Sequence, residues 1–107
     1  MIVVNAVLET TISNISKIKS AVKEMEIETL KEVGCQDYVF CVELSNPNII
    51  RIIEKWDKME DLEAHFRTPH MLKFQSILEE NPIDKTTAYF YEAREITPAG
   101  LDMEAFE

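Results

Sequence analysis

The chain has 107 residues, 46% of them hydrophobic, and a formal net charge of −9. This length and composition indicate one globular domain. A domain this small buries a limited fraction of its surface, so assembly into an oligomer would add stability. The acidic excess argues against binding to nucleic acid or to anionic membranes, because both need a basic surface.

The first residues, 1–8, are apolar but lack the basic start and the small-residue cleavage site of a signal peptide. No apolar run approaches the ~20 residues that a membrane-spanning helix needs. Cys35 and Cys41 are the only cysteines, too few for a disulfide framework or a four-cysteine metal site. These observations predict a cytoplasmic protein with reduced thiols.

Hydrophobic periodicity predicts an alternation of strands and helices along the chain. The predicted elements are a strand at residues 2–9, a long helix capped by Ser13 or Asn14 and ended by Gly34, strands at residues 38–44 and 49–56, helices at residues 58–66 and 69–80, and a strand at residues 86–96. A turn at residues 45–48 makes the second and third strands a predicted hairpin.

Capping residues mark the starts of the two shorter helices. Asp57 and Glu60 form an Asp-x-x-Glu capping box, and Thr68 before a proline is a typical N-cap. Trp56 then lies where a strand meets a helix, and His65 follows about two and a half turns later, at ~3.6 residues per turn. We expect both side chains to reach one pocket.

This order of elements is the β-α-β-β-α-β plan of a ferredoxin-like α+β fold with an antiparallel sheet. Such a sheet carries helices on one face only. The strands at residues 2–9, 49–56 and 86–96 have apolar residues on both faces. We therefore expect a two-fold homodimer that covers the second face. The predicted domain covers residues 1–97, and residues 98–107 form a C-terminal tail that would pack on the partner subunit.

Several residues, taken with this plan, point to a known family. They are Asn5 on the first strand, the Glu54-Lys55-Trp56 segment that closes the third strand, and His65 followed by Thr68-Pro69-His70. The combination resembles the antibiotic biosynthesis monooxygenase family, whose members are small dimeric α+β barrels. The resemblance extends from residue 2 to about residue 94.

The resemblance implies a cofactor-independent monooxygenase that uses molecular oxygen on a small aromatic or quinol substrate, with neither metal nor flavin. A non-catalytic small-ligand-binding dimer is one alternative. Another is an isomerase of a phosphorylated ketone, for which Arg51, Arg67 and the helix start at Thr68 are the candidate phosphate-binding groups. Haem degradation is disfavoured, because the haem branch has a Trp near the place of His65 and its iron-ligating His near the place of Gln75.

Asn5 and His65 are the predicted catalytic residues, in a pocket between the sheet and the helices. Asn5 interrupts an apolar strand and would hold a substrate oxygen, or would be a buried amide bonded to the backbone. His65 would remove a phenolic proton, since histidine titrates near a pH of ~6.5. The alternative for His65 is a surface or core histidine that pairs with a carboxylate.

The predicted substrate-binding residues are Trp56, Glu54, His70 and Phe74. Trp56 would form an aromatic wall or fill the core. Glu54 would orient a polar group such as His65 or form a structural ion pair. His70 would be a half-exposed residue at a helix start. The chain has only two histidines and lacks the His-x-x-x-His spacing, so no metal site is predicted.

Overall fold

The computed structural model describes residues 1–101, and residues 102–107 lie outside the description. The elements are β1 (Ile2–Glu9), α1 (Ile12–Thr29), β2 (Cys35–Val42), β3 (Ile49–Trp56), α2 (Met59–His65), α3 (Pro69–Glu80) and β4 (Lys85–Glu92). This order confirms the predicted β-α-β-β-α-β plan, with the second helix divided into α2 and α3. Within residues 1–101, no helix has both the length and the apolar character to span a bilayer.

The strands form one antiparallel sheet in the order β2-β3-β1-β4. Successive side chains of a strand point to opposite faces, so alternate residues of β1 meet the helices. The buried residues of β1 are Ile2, Val4, Ala6 and Leu8. Ile2 and Val4 pack in one core cluster with Met25 of α1, Leu62 of α2 and Phe74 of α3, and Leu8 packs in a second cluster with Ile18 of α1. We call this side of the sheet the helix-side face.

The opposite side of the sheet, the open face, carries many apolar residues. Paired residues in antiparallel strands share a face, and the register places Val3, Asn5, Val7, Val39, Ile53, Tyr89 and Tyr91 together on it. Ile53 is 37% exposed, Tyr89 56% and Tyr91 49%. The prediction of apolar residues on both faces is therefore correct, and the homodimer that it suggests stays a prediction.

Helix α1 begins and ends earlier than the sequence suggested. Its N-cap is Thr11, whose hydroxyl oxygen accepts from the Asn14 backbone N–H at 3.1 Å, so neither Ser13 nor Asn14 is the cap. The helix ends at Thr29, and residues 30–34 form turns before β2. Gly34 closes this segment at φ +81°, and a Cβ there would overlap the carboxylate of Asp61.

Helix α2 lacks the expected capping box. Its N-cap is Lys58, without a side-chain hydrogen bond. Asp57 is occupied elsewhere, because its Oδ1 accepts from Nε2 of Gln36 at 2.7 Å and its N–H donates to the Gly34 carbonyl at 2.8 Å. The cap of α3 is as predicted, with the Thr68 hydroxyl oxygen accepting from the Met71 backbone N–H at 3.3 Å.

Two strands differ from their expected bounds. Strand β2 starts at Cys35, before the expected residue 38, with a register shift between Cys35 and Asp37. Strand β4 ends at Glu92, four positions before the expected end at residue 96. Its pairing with β1 also ends there, since Glu92 lies opposite Ile2. The predicted tail begins at residue 98, and most of it lies outside the described residues.

Candidate active site

His65 is the last residue of α2, and its side chain is 1% exposed. The imidazole lies among aromatic rings, with ring centroids 5.1 Å from Trp56, 5.3 Å from Tyr38 and 5.9 Å from Phe66. Leu62, one turn earlier on the same helix, packs in the same core. The helical spacing therefore turns His65 toward the helix-side face of the sheet.

One carboxylate oxygen joins both histidines of the chain. Oε2 of Glu32 lies 2.7 Å from Nδ1 of His65 and 2.7 Å from Nε2 of His70. The side chains of Glu32 and His70 are 13% and 17% exposed. An ionised carboxylate can only accept hydrogen bonds, so each imidazole directs an N–H at it. Neutral His65 then carries its lone pair on Nε2, the nitrogen that faces away from Glu32.

Three separate chain segments assemble this cluster. Glu32 lies in the turns between α1 and β2, where its backbone N–H donates to the Thr29 carbonyl at 3.0 Å. Thr68 fixes the corner between α2 and α3, because its hydroxyl donates to the His65 carbonyl at 2.8 Å and also caps α3. This corner brings His65 and His70 to the same oxygen of Glu32, with ring centroids 6.1 Å apart.

Glu54 and Trp56 lie two residues apart on the helix-side face of β3, and both are buried. The indole N–H of Trp56 donates to Oε1 of Glu54 at 3.0 Å. Burial raises the pKa of Glu54, with a smaller contribution from the Glu32 carboxylate, although the Trp56 hydrogen bond acts in the opposite direction. Two roles were predicted for Glu54: to orient a polar group such as His65, or to form a structural ion pair. In the structure its polar partner is the indole N–H of Trp56.

Tyr38 and Cys35 complete the polar surroundings of the histidines. Burial, followed by the nearby carboxylates Glu54 and Glu32, raises the pKa of the Tyr38 phenol. Burial and then the charge of Glu32 raise the pKa of the Cys35 thiol to about 11. Both groups therefore keep their protons at neutral pH, and neither supplies an anionic base.

A separate apolar cavity of about 560 Å³ lies between α1 and the β2–β3 hairpin. Its apolar lining comprises Ile12, Ile15, Ile18, Val22, Phe40, Val42, Pro47 and Ile50. Polar side chains of Ser16, Lys19, Lys23 and Glu26 complete it. Phe40 connects this cavity to the cluster, because its ring lies 5.6 Å from Tyr38, which in turn contacts His65.

The predicted pocket shared by Asn5 and His65 is wrong. Asn5 is exposed on the open face, opposite Ile53 on β3 and Tyr89 on β4. His65 is buried on the helix-side face. The strand period of two separates them, since Val4 and Ala6 on either side of Asn5 both point to the helices. Asn5 is also not the buried amide of the alternative interpretation.

The other predicted site residues lie on the helix side but do not line the large cavity. His65, His70, Glu54 and Trp56 belong to the polar cluster described above. Phe74 is 5% exposed and packs edge-on against Phe40 at 5.7 Å. The structure thus assembles most of the predicted side chains, but as a closely packed cluster beside the cavity.

Sequence reasoning missed Glu32 and gave no role to Tyr38. Glu32 lies within the stretch that the periodicity predicts as the long helix, and its contact with His65 spans 33 positions of the chain. That the chain has no metal site stays a prediction, although the two histidines meet one carboxylate. One donor atom each from Glu32, His65 and His70 lie within 4.8 Å of one another.

Comparison with known proteins identifies the family and supports the fold. A protein from Escherichia coli strain K12 named "probable quinol monooxygenase YgiN" is 40% identical over 50 residues, covering 39% of this chain and 48% of the relative. The match thus spans about half the length of that relative. The chain is thus similar, over that stretch, to a protein named as a probable quinol monooxygenase.

Solved structures match over most of the chain. A conserved protein from Methanosarcina mazei superposes with a TM-score of 0.80 at 32% identity, covering 87% of this chain and 92% of that one. A protein from Deinococcus radiodurans, named for the antibiotic biosynthesis monooxygenases, superposes with a TM-score of 0.83 at 21% identity, covering 92% and 97%. The second likeness shows the fold alone.

The sequence profile described as antibiotic biosynthesis monooxygenase matches residues 1–76. These residues contain β1, the Glu32 turn, the Glu54–Trp56 pair and both histidines. Since the match covers well over half of the chain, this protein belongs to the antibiotic biosynthesis monooxygenase family.

Proposed function

We propose that the protein is a monooxygenase that oxidises a small quinol-type aromatic with molecular oxygen and without an organic cofactor. For a simple hydroquinone the balanced reaction is hydroquinone plus O2 giving hydroxyquinone plus water. The substrate supplies all four electrons, one oxygen atom enters the ring and the other leaves as water. The family membership and the partial similarity to a quinol monooxygenase support this class of reaction.

The observation that carries the proposal is the hydrogen bond between His65 and Glu32 at 2.7 Å. It holds the neutral imidazole with Nε2 free to accept a proton, and the carboxylate stabilises the imidazolium that forms. This arrangement of a base and an orienting carboxylate is typical of general base catalysis. Removing a phenolic proton leaves an electron-rich anion that donates electrons to oxygen more easily than the neutral quinol.

We place the aromatic substrate in the cavity between α1 and the β2–β3 hairpin. Its volume of about 560 Å³ and its apolar lining suit a small ring system. Phe40 and Tyr38 stand between this cavity and His65. The hydroxyl of a substrate in this cavity therefore reaches Nε2 of His65 only when the Phe40 and Tyr38 rings both turn aside, which adds a conformational step to catalysis.

We also propose that two subunits pack through their open faces. The exposed apolar residues Ile53, Tyr89 and Tyr91 lie together there. Burying them against a second copy removes apolar surface from water. This stabilises the dimer by ~25 cal/mol per Å² of buried apolar surface, before the costs of association are subtracted. Asn5 would then lie within the subunit interface.

One alternative loses support from a specific contact. The isomerase interpretation needs free cationic groups for a phosphate, and Arg51 was one candidate. Its guanidinium donates twice to Oε1 of Glu43, at 2.8 Å from Nε and 2.6 Å from Nη2. The Glu43 carboxylate pairs with Arg51, so this candidate offers less support for phosphate binding.

Oxygen uptake with a panel of benzohydroquinones and naphthohydroquinones tests the proposal. We expect uptake by the wild type and a loss of kcat of about 100-fold or more in His65→Gln, since a general base contributes ~10²–10⁴-fold. Glutamine has a similar size, and its amide can still donate to Glu32. Gln75→Ala, on the exposed side of α3, is the matched control and should keep full activity. Equal rates in the wild type and His65→Gln would reject His65 as the base.

A further inference from the structure

We propose that Glu32, His65 and His70 form a binding site for one divalent transition-metal ion. Their donor atoms lie within 4.8 Å of one another, and both imidazole nitrogens are 2.7 Å from the same carboxylate oxygen. These donors come from the α1–β2 turn, the end of α2 and the start of α3. Such convergence of distant segments is more specific than a cluster of neighbouring acidic residues on a surface.

The distances are close to those that a metal ion requires. A zinc ion binds imidazole nitrogen at ~2.0–2.1 Å and carboxylate oxygen at ~2.0–2.2 Å, so two of its nitrogen ligands lie at most ~4.2 Å apart. Donor atoms within 4.8 Å need shifts of only several tenths of an ångström to meet around one ion. Rotation of the Glu32 carboxylate and of the half-buried His70 ring can supply these shifts.

The donor set and its surroundings indicate which ion would bind. Two imidazoles and one carboxylate suit Zn²⁺, Co²⁺ or Fe²⁺, whereas Mg²⁺ and Ca²⁺ prefer oxygen ligands. Trp56 and Tyr38 hold the His65 ring in place, while Glu32 and His70 keep partial access to solvent. The site therefore combines one rigid ligand with two that an ion can reach from outside.

Metal binding and base catalysis exclude each other at His65. An ion on Nδ1 replaces the N–H that faces Glu32, and the neutral ring then carries its proton on Nε2. That nitrogen can no longer take a proton from a substrate. Metal occupancy would thus switch off the proposed base, but binding itself is independent of any turnover.

Titration with Co²⁺ tests the site directly, because its visible d–d absorption reports ligand type and geometry. We expect one equivalent of Co²⁺ per chain, with bands that Zn²⁺ abolishes and excess Ca²⁺ does not. His70→Gln and Glu32→Gln should weaken Co²⁺ binding by at least about tenfold, since even outer contacts of metal sites contribute ~10–100-fold. His70 is partly exposed, so its variant should remain folded, which circular dichroism checks.

The matched control is Glu24→Gln, which removes the same charge from an exposed position on α1. It should bind Co²⁺ like the wild type and so account for general attraction to a chain of net charge −9. Absence of d–d bands in the wild type would overturn the proposal. Equal Co²⁺ affinities in His70→Gln, Glu32→Gln and Glu24→Gln would overturn it as well, because they would show attraction without this site.

Discussion

Asn5 and His65 lie on opposite faces of the same sheet. Asn5 is exposed on the open face, whereas His65 is buried beneath α2 and held by Glu32. The residues that could accept or donate protons therefore lie together on the helix side, near the end of α2 and the start of α3. Asn5 instead belongs to the surface that we propose a second subunit covers. The helix side is therefore the proposed catalytic region, and the open face is the proposed subunit interface.

Replacing the orienting carboxylate should slow the reaction without unfolding the protein. Glu32→Gln removes an anion that accepts from both imidazoles. The amide oxygen can still accept from an imidazole N–H, but it lacks the negative charge that stabilises the imidazolium of His65, so we expect kcat for quinol oxidation to fall at least about tenfold, while KM changes less. Steady-state oxygen uptake measures both. Exposed Glu63 provides the control variant Glu63→Gln, and a fall in kcat shared by both variants would argue against a positioning role for Glu32.

Glu54 should make the protein less stable as the pH rises. Its pKa is raised in the folded state, so the folded chain keeps a proton that the unfolded chain releases near a pH of ~4.3. The free energy of unfolding should therefore fall between that pH and the raised pKa. Glu54→Gln removes this dependence and retains an amide oxygen for the Trp56 N–H.

Urea unfolding at several pH values measures this effect. The stability of Glu54→Gln relative to the wild type should increase with pH across that window, whereas exposed Glu63→Gln should follow the wild-type curve. Parallel curves for the wild type and Glu54→Gln would show that burial does not perturb Glu54.

The thiol of Cys35 should react slowly at neutral pH. Burial and the charge of Glu32 raise its pKa to about 11, and only the thiolate is a strong nucleophile. In a Cys41→Ser variant, which leaves Cys35 as the sole thiol, the rate of alkylation by iodoacetamide should still rise with pH up to about 11. The same variant in urea should level off above its ordinary pKa of ~8.5. A folded-state profile that matches the urea profile would contradict the assignment.

A charge on the open face should prevent subunit association. Tyr89 lies opposite Asn5 and is 56% exposed, so Tyr89→Glu would place a carboxylate inside the proposed interface. Light scattering after size exclusion should report a dimer for the wild type and a monomer for this variant. Leu72→Glu is the control, because Leu72 is 55% exposed on α3, away from the sheet. A wild-type monomer would refute the proposed dimer.

The fold could be predicted because local signals agree with it. The Thr68 cap fixes the start of α3, and the alternation on β3 places Glu54 and Trp56 on one buried face. The same reasoning placed Asn5 on the wrong face. Val3 and Val7, which share a face with Asn5, are as apolar as Val4 and Ala6 on the other face. When both faces of a strand are apolar, the pattern alone does not tell which face meets the helices.

The polar cluster depends on contacts between distant parts of the chain. Glu32 follows a helix that ends earlier than its hydrophobic pattern suggests, and its partners lie 33 and 38 positions away. Local periodicity carries no information on such contacts.

Isotope labelling tests the central claim, that His65 initiates the insertion of oxygen into a quinol, most directly. With ¹⁸O2 and a hydroquinone that shows oxygen uptake, mass spectrometry should find one ¹⁸O atom in the hydroxyquinone from the wild type, and little labelled product from His65→Gln over the same time. Unlabelled product from the wild type, or equal labelling by both proteins, would contradict the account.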